Sequence, residues 1–166
     1  MTEAVREEAL QVLRRCEVFL GLDDSDLERI ASLPSCHIEI YEAGGTISNE
    51  GELARNFYVL EEGKVNLEME LPANSLHSAE RVTIDTITKG GIFDWSALVP
   101  PHVLTRSAIC AEECKVLAIN GAELLHLMNS NPHLGYEVMQ GLVRVIASRL
   151  RYTQRLFAGG QRGDFL

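Results

Sequence analysis

The chain has 166 residues, 46% of them hydrophobic and 23% charged, and its formal net charge is −9. This length and composition predict one globular domain with a hydrophobic core. The negative charge argues against a nucleic-acid-binding surface over the whole domain. The apolar runs are shorter than the roughly 20 residues of a membrane span. The N-terminal segment is acidic where a signal peptide is basic and then apolar, so we expect a cytoplasmic protein with no membrane contact.

Two helices are predicted at the start of the chain. Residues 3–15 carry apolar side chains at helical spacing. A second, short helix is predicted over Asp26–Ser32, with Ser25 or Asp24 as its N-cap, and Pro34 ends it. The side chains that this helix turns inward are predicted to be Leu27, Ile30 and Ala31.

From residue 37 the apolar period changes to that of β-strands. Strands are predicted over residues 37–42, 57–60, 64–71, 81–87, 105–111 and 115–119. The segment 57–60 is continuously apolar, as in a strand covered on both faces, whereas 64–71 alternates like a strand with one face in water. Many short strands with glycine-marked turns predict an antiparallel β-roll or jelly-roll barrel (a double-stranded β-helix), either closed or built of two sheets. With the flanking helices, the fold class is α+β.

The C-terminal part is predicted to be helical. Asn120 followed by Glu123 is a capping-box-like start for a helix over Ala122–Asn129. After a break at Pro132, a long helix is predicted over Leu134–Phe157. Four arginines near its end, which are expected to be solvated flanks of the helix, are Arg144, Arg149, Arg151 and Arg155.

The long helix carries two apolar stripes. One consists of Leu134, Val138, Leu142 and Val145, continued by Tyr152 and Leu156, and the other of Met139, Ile146, Leu150 and Phe157. A helix that packs one stripe on its own barrel and the other on a second copy of the chain uses both, which favours a homodimer through Leu134–Phe157. The alternative is a helix buried entirely against its own barrel.

The cysteines and histidines of the sequence do not form the pattern of a metal site or a catalytic site. The cysteines are Cys16, Cys36, Cys110 and Cys114, and only the last two are close, with a C-x-x-x-C spacing unlike a zinc knuckle. We expect ordinary half-buried thiols without disulfides. The five histidines are scattered, with no His-x-His pair as in a cupin-type metalloenzyme. The sequence therefore predicts no catalytic residues, no metal and no enzyme activity.

Five short segments, in one order, carry a resemblance to a known family. They read CEVFLGL at 16–22, EAGGTISNEG at 42–51, FYVLEEGKV at 57–65, GGIF at 90–93 and RSA at 106–108. Together they resemble the cyclic-nucleotide-binding domain of the catabolite-activator/Fnr (Crp/Fnr) regulators and of the kinase regulatory subunits. The resemblance implies one domain over 1–157, with a barrel at about 36–119, C-terminal helices at 120–157, and a flexible tail at 158–166.

The same resemblance implies a phosphate-binding cassette that opens at Phe93. In the family, a short helix after this position offers backbone N–H groups to a cyclic phosphate, and the cassette arginine pairs with the phosphate oxygens. This assigns the phosphate to Arg106, a hydroxyl hydrogen bond to Ser107, and the remaining donors to the backbone around Ser96 and Ala97.

The cassette departs from the family pattern Phe-Gly-Glu-Leu-Ala-Leu at two positions. Trp95 replaces the glutamate that accepts from the ribose 2′-OH, a loss of about 1.5–3 kcal/mol, or roughly ten- to hundredfold in affinity. Asp94 replaces the glycine and brings an anion close to the phosphate, unless it caps the short helix and points away. The pocket could hold a cyclic nucleotide differently, with Trp95 stacking or packing, or take another small anion. It could also be empty, with Arg106 paired to Asp94 or another carboxylate.

The long helix adds a second implied contact. Residues 147–153 resemble the dimer helix of the catabolite activator, where a threonine reads the adenine edge. This implies the same role for Thr153, together with Gln154 from a partner chain; an exposed helix threonine is the alternative. The regulators of this family continue into a helix-turn-helix domain, whereas this sequence ends shortly after Phe157, so we expect no direct DNA binding.

These inferences predict a non-catalytic sensor that binds a cyclic nucleotide, cAMP or cGMP with cAMP preferred, or a related phosphate-bearing small molecule. The sensor would signal through its C-terminal helix to a partner protein and needs no cofactor besides the ligand. The alternative is a ligand-free interaction or dimerisation module that keeps the barrel.

Overall fold

A computed structural model describes residues 2–73 and 78–160. The N-terminal elements are the helices α1 (Glu3–Arg15) and α2 (Asp24–Ala31). The strands are β1 (His37–Tyr41), β2 (Thr46–Ser48), β3 (Asn56–Glu62), β4 (Val65–Leu71), β5 (Glu80–Ile87), β6 (Ile92–Phe93), β7 (Ser107–Cys110) and β8 (Cys114–Asn120). A short 3-10 helix, Trp95–Leu98, follows β6, and the chain continues with α3 (Gly121–Ser130) and α4 (Pro132–Gly160). Among the described helices, none is both long and apolar enough to cross a bilayer.

The strands form two four-stranded antiparallel sheets. The strand order is β1-β8-β3-β6 in the first sheet and β2-β7-β4-β5 in the second. The predicted α+β fold with a β-roll is confirmed, but the two sheets do not close into one barrel. Residues 94–106 connect the edge strand β6 of the first sheet to the interior strand β7 of the second. The cassette therefore bridges the two sheets.

Strand β3 lies between two hydrophobic cores, as its continuous apolar run predicts. Phe57 and Val59 face the helices and belong to the larger core, which also holds the buried side chains of α1, α2, α3 and α4. Tyr58 and Leu60 face the opposite way and belong to a smaller core between the sheets. Because the side chains of a strand alternate, burial on both faces requires every residue of the run to be apolar or aromatic.

The caps of two helices differ from the predicted ones. Helix α2 begins earlier than predicted because Asp23, rather than Ser25 or Asp24, is its N-cap and accepts a hydrogen bond from the Asp26 N–H at 2.9 Å. The sequence offers several possible caps in a row, and only the backbone path selects one.

At the start of α3, half of the predicted capping box forms. The Asn120 side chain accepts from the Glu123 N–H at 3.1 Å, as expected. The Glu123 carboxylate does not reach back to Asn120; it accepts from the Ser35 N–H and hydroxyl at 3.0 and 2.8 Å. A contact between α3 and the segment before β1 thus replaces the local one.

Helix α4 separates its two apolar stripes as predicted over most of its length. Leu134, Val138, Leu142 and Val145 are buried against the roll. The exposed apolar side chains of α4 are Tyr136, Met139, Val143, Leu150, Tyr152, Leu156 and Phe157. Tyr152 and Leu156, predicted to continue the buried stripe, are both 54% exposed because they border an open cavity next to β5. The helix also includes residues 158–160 of the predicted tail; residues 161–166 lie outside the described residues.

Candidate functional site

The cassette begins in the core. The Phe93 ring is fully buried and stacks on Tyr58, with ring centroids 5.0 Å apart and planes 11° from parallel. Phe93 was expected among the ligand-binding residues, but it has no exposed surface to present to a ligand. Its role is to fix the position from which the cassette leaves β6.

Asp94 adopts a conformation that explains the glycine found here in the family. Its φ of 56° and ψ of 35° lie in the left-handed region, which glycine, asparagine and aspartate tolerate best. The side chain makes no capping hydrogen bond to the following 3-10 helix, so the predicted cap is wrong. The carboxyl group instead lines a separate cavity of about 380 Å³ together with Ser48 and Tyr58.

The Asp94 carboxyl is buried without a countercharge. Its burial raises the pKa to about 7, and the nearby Ser48 hydroxyl opposes this shift. The Ser48 Oγ atom is itself buried, and it makes no hydrogen bond to any described residue. The carboxyl is therefore held partly protonated near neutral pH.

Replacing Asp94 by asparagine should change how stability depends on pH. Because the folded-state pKa is raised, the folded protein holds a proton that the unfolded chain releases, so the wild type loses stability as pH rises from about 4 to about 7. We expect urea unfolding to show that the free energy of unfolding of Asp94→Asn, relative to that of the wild type, rises on the order of 2–4 kcal/mol between about pH 4 and pH 8. Glu42→Gln, which removes an exposed carboxylate, is the control. Parallel pH profiles for Asp94→Asn and the wild type would contradict a buried Asp94 carboxyl.

Arg106 lies at the junction of two cavities and is half-buried. Burial lowers the pKa of its guanidinium; Asp85 raises it and Arg149 lowers it. Within the described part of the chain, the guanidinium makes no hydrogen bond and no ion pair. The predicted alternative of a pair with Asp94 does not form, and Asp85 is the carboxylate that influences Arg106.

The hydrogen-bond donors of the cassette are only partly available. Ser107 is buried and its Oγ accepts from the Glu50 N–H at 2.9 Å, which leaves the hydroxyl proton to donate. The Ala97 N–H donates to the Asp94 carbonyl at 3.0 Å, so it is not available as predicted. The N–H groups of Trp95 and Ser96 make no hydrogen bond to any described residue. Two backbone donors remain for a ligand, whereas Ser107 lines neither of the two cavities that meet at Arg106.

The space between these donors and Arg106 is small. The cleft lined by Asp94, Trp95, Ser96 and Arg106 has a volume of about 20 Å³, which is close to the minimum that holds one water molecule. A phosphate cannot enter it in this conformation unless the cassette or Arg106 moves.

A larger cavity of about 550 Å³ opens on the other side of Trp95 and Arg106, beneath α4. Its remaining lining residues come from β4, β5 and α4 and are Met69, Thr83, Ile84, Asp85, Ile146, Arg149, Leu150, Tyr152, Thr153, Leu156 and Phe157. The structure thus brings the predicted Trp95, Arg106 and Thr153 to one cavity. Gln154 is exposed and does not line it, so its role beside a partner chain remains a prediction.

Arg149 is a site residue that sequence reasoning placed in solvent with its three neighbours. Arg144, Arg151 and Arg155 are exposed, but Arg149 donates from Nη2 to Glu17 Oε1 at 3.0 Å and to the Ile92 carbonyl at 2.6 Å. These bonds attach α4 to β6 and to the segment after α1. The available signal was its position four residues after the buried Val145, on the same face of the helix.

The thiols are more buried than expected, since all four cysteines are buried. Burial raises the pKa of Cys16, Cys36 and Cys110 to about 12, so these sulfurs stay protonated at neutral pH. No group of three metal-ligating side chains occurs among residues 2–73 and 78–160.

Comparison with known proteins places this geometry in a family. The family model "Cyclic nucleotide-binding domain" matches residues 38–131, more than half of the chain. A structure from Geobacter metallireducens, described as a cyclic nucleotide-binding protein, is 29% identical with a TM-score of 0.71, covering 86% of this chain and 98% of that one. The regulatory domain of Toxoplasma gondii PKA with cAMP is 20% identical, with a TM-score of 0.71 and coverage of 87% and 51%. The catabolite activator protein of Thermus thermophilus is 22% identical, with a TM-score of 0.68 and coverage of 86% and 62%. The chain belongs to the cyclic nucleotide-binding domain family, with structural neighbours of the Crp/Fnr type.

Proposed function

We propose that this chain is a non-catalytic, cytoplasmic ligand-sensing module that binds a cyclic nucleotide, with cAMP preferred, or a related phosphate-bearing small molecule. The observation that carries the proposal is the guanidinium of Arg106, which lies without an ion pair to any described residue at the wall of the 550 Å³ cavity. A half-buried, always-charged fork in a cavity favours an anion. The regulatory domain of Toxoplasma gondii PKA, a structural neighbour, was crystallised with cAMP.

Helix α4 is the element that would transmit occupancy of the cavity. Arg149 and Thr153 both line the cavity, and Arg149 also attaches α4 to β6. A ligand that contacts Arg106 on one side and α4 on the other changes the balance of these contacts. We infer that ligand binding shifts the end of α4, where it would signal to a partner protein.

Isothermal titration with cAMP and with cGMP tests the proposal for cyclic nucleotides. We expect saturable heat from at least one of them at micromolar to high-micromolar concentration. Absence of heat from both would reject cyclic nucleotides as ligands. The cleft of about 20 Å³ beside the cassette favours the alternative, a ligand-free interaction module. That alternative predicts that Arg106→Ala leaves partner binding unchanged.

The exposed face of α4 predicts a homodimer. Tyr136, Met139 and Val143 are exposed apolar side chains spaced three and four residues apart, as in a coiled-coil seam, and they lie in the part of α4 before the cavity. Sedimentation of the wild type should give a dimer, and Val143→Glu should give a monomer because it places a charge in the seam. Ser148→Glu, which places the same charge on an exposed side of α4 away from the seam, is the control and should remain dimeric. A wild type that sediments as a monomer at tens of micromolar would contradict the prediction.

A further inference from the structure

We infer that the ligand of the α4 cavity is an amphipathic anion, with one phosphate or carboxylate group on an aromatic or alkyl body, rather than a nucleotide with a ribose. This inference deepens the proposed function and rests on it, since it uses the same Arg106 site. It follows from the available charge, from the lining of the cavity, and from the apolar rim at its mouth.

The cavity offers one available cation to one anionic group. Asp85 is the only carboxylate among the described lining residues. Its Oδ1 already accepts from the Thr86 N–H at 2.9 Å, and its Oδ2 lies 3.8 Å from Arg149 Nε. Arg149 is also paired with Glu17. The Arg149 Nη1 atom is buried and has no hydrogen-bond partner among the described residues, but Arg149 is held by two carboxylates. Arg106 is the lining cation that makes no ion pair with a described residue, and it can form a forked pair with a phosphate or a carboxylate.

The rest of the lining suits an apolar body. Besides Trp95, the apolar or largely apolar side chains that line the cavity are Met69, Ile84, Ile146, Leu150, Tyr152, Leu156 and Phe157. Some polar groups of the lining are already engaged, including the Thr153 hydroxyl, which donates to the Arg149 carbonyl at 3.0 Å. The hydroxyl groups of Thr83 and Tyr152 make no hydrogen bond to any described residue and are the neutral groups still free in the lining. A ribose in this cavity would exchange its water contacts for hydrogen bonds to few neutral groups, and each of its hydroxyls left unpaired would weaken binding.

The mouth of the cavity is apolar and open to solvent. Leu150, Leu156 and Phe157 are 57%, 54% and 75% exposed and line the cavity from α4. An apolar ligand body would cover these side chains and remove their surface from water, which favours binding. A cavity of this volume is also within the range of small-molecule sites.

Tryptophan fluorescence measures the site directly, because Trp95 is the only tryptophan of the chain. The probes are phenyl phosphate, phenylacetate and octanoate, with inorganic phosphate and acetate as head groups without a body, and cAMP and cGMP as nucleotides. We expect at least one probe with an apolar body to give a saturable change and to bind about tenfold or more tighter than its bare head group and than either nucleotide. The phosphate and carboxylate probes show which head group is preferred.

Two variants separate the head from the body. Arg106→Gln should lower the affinity for the probe by about tenfold or more. Phe157→Ser should lower the affinity for the probe severalfold. It should not affect folding, since Phe157 is largely exposed. Ile40→Ser, which removes an exposed apolar side chain of β1 outside the cavity, is the control and should bind like the wild type.

The outcomes distinguish this inference from the proposed function. If cAMP or cGMP binds more tightly than every amphipathic probe and depends on Arg106, the inference is overturned and the proposed function stands. If neither the probes nor the nucleotides bind, both are overturned and the ligand-free module remains. Probe binding that is unchanged in Arg106→Gln also overturns the inference, because the anionic group would then play no part.

Discussion

Replacing Arg106 by glutamine is expected to weaken ligand binding by about tenfold to a hundredfold. The reason is that the substitution keeps much of the side-chain volume and removes the charge. A charge-assisted hydrogen bond contributes about 1.5–3 kcal/mol, and a forked pair contributes more than one such bond. Titration calorimetry with the tightest ligand of the panel measures the loss.

The control for this substitution is Arg144→Gln. Both substitutions replace an arginine by glutamine and make the same change in net charge. Arg144 is exposed on α4 and does not line the cavity, so its replacement should leave ligand binding unchanged. Thermal melting of both variants should show that each is folded. Equal affinities for Arg106→Gln and Arg144→Gln would show that Arg106 is not the anion-binding group.

Replacing Gly141 by alanine is expected to lower the free energy of unfolding by about 3 kcal/mol, a large effect for one methyl group. A Cβ atom at this position would lie 1.9 Å from the Val18 carbonyl oxygen and 2.8 Å from its carbonyl carbon. The obstacle is backbone, which cannot move aside like the end of a flexible side chain. Helix α4 would have to move away from the segment after α1, and urea unfolding measures the cost.

Gly159→Ala is the matched control for Gly141→Ala. Both residues lie in α4, but a Cβ at Gly159 would meet no atom within 4 Å. Alanine should therefore stabilise the helix slightly, by up to about 1 kcal/mol. If Gly141→Ala were as stable as Gly159→Ala, the close packing of α4 against Val18 would be wrong. A folded Gly141→Ala protein should also bind ligand less well, because α4 carries half of the cavity wall.

Periodicity predicted most of the fold because most elements bury one face. The continuous apolar run of β3 and the alternation of β4 each reflect how many faces are covered. The caps were less predictable, since Asp23 competes with its neighbours and Glu123 finds its partner in Ser35, far along the chain. Local patterns do not contain such long-range contacts.

In the site, too, some residues could be predicted from the sequence and others depend on long-range contacts. The family resemblance led to Arg106 and Trp95, and the structure adds that they share a cavity with Thr153. Sequence reasoning did not find Asp85 or Arg149, because nothing local distinguishes a carboxylate on β5 or one arginine of four. It also did not find that Asp94 has a left-handed backbone conformation and lines both the cleft beside Arg106 and a separate cavity with Ser48.

The most direct test of the account is the ¹⁵N resonance of the Arg106 Nε–H group, assigned through its loss in Arg106→Lys. The protein would be titrated with cAMP, cGMP, phenyl phosphate, phenylacetate and octanoate. We expect at least one of these anions to shift the resonance to saturation and to slow the exchange of the Nε–H proton with solvent. A resonance that none of them changes at millimolar concentration would contradict the claim that this guanidinium binds a ligand.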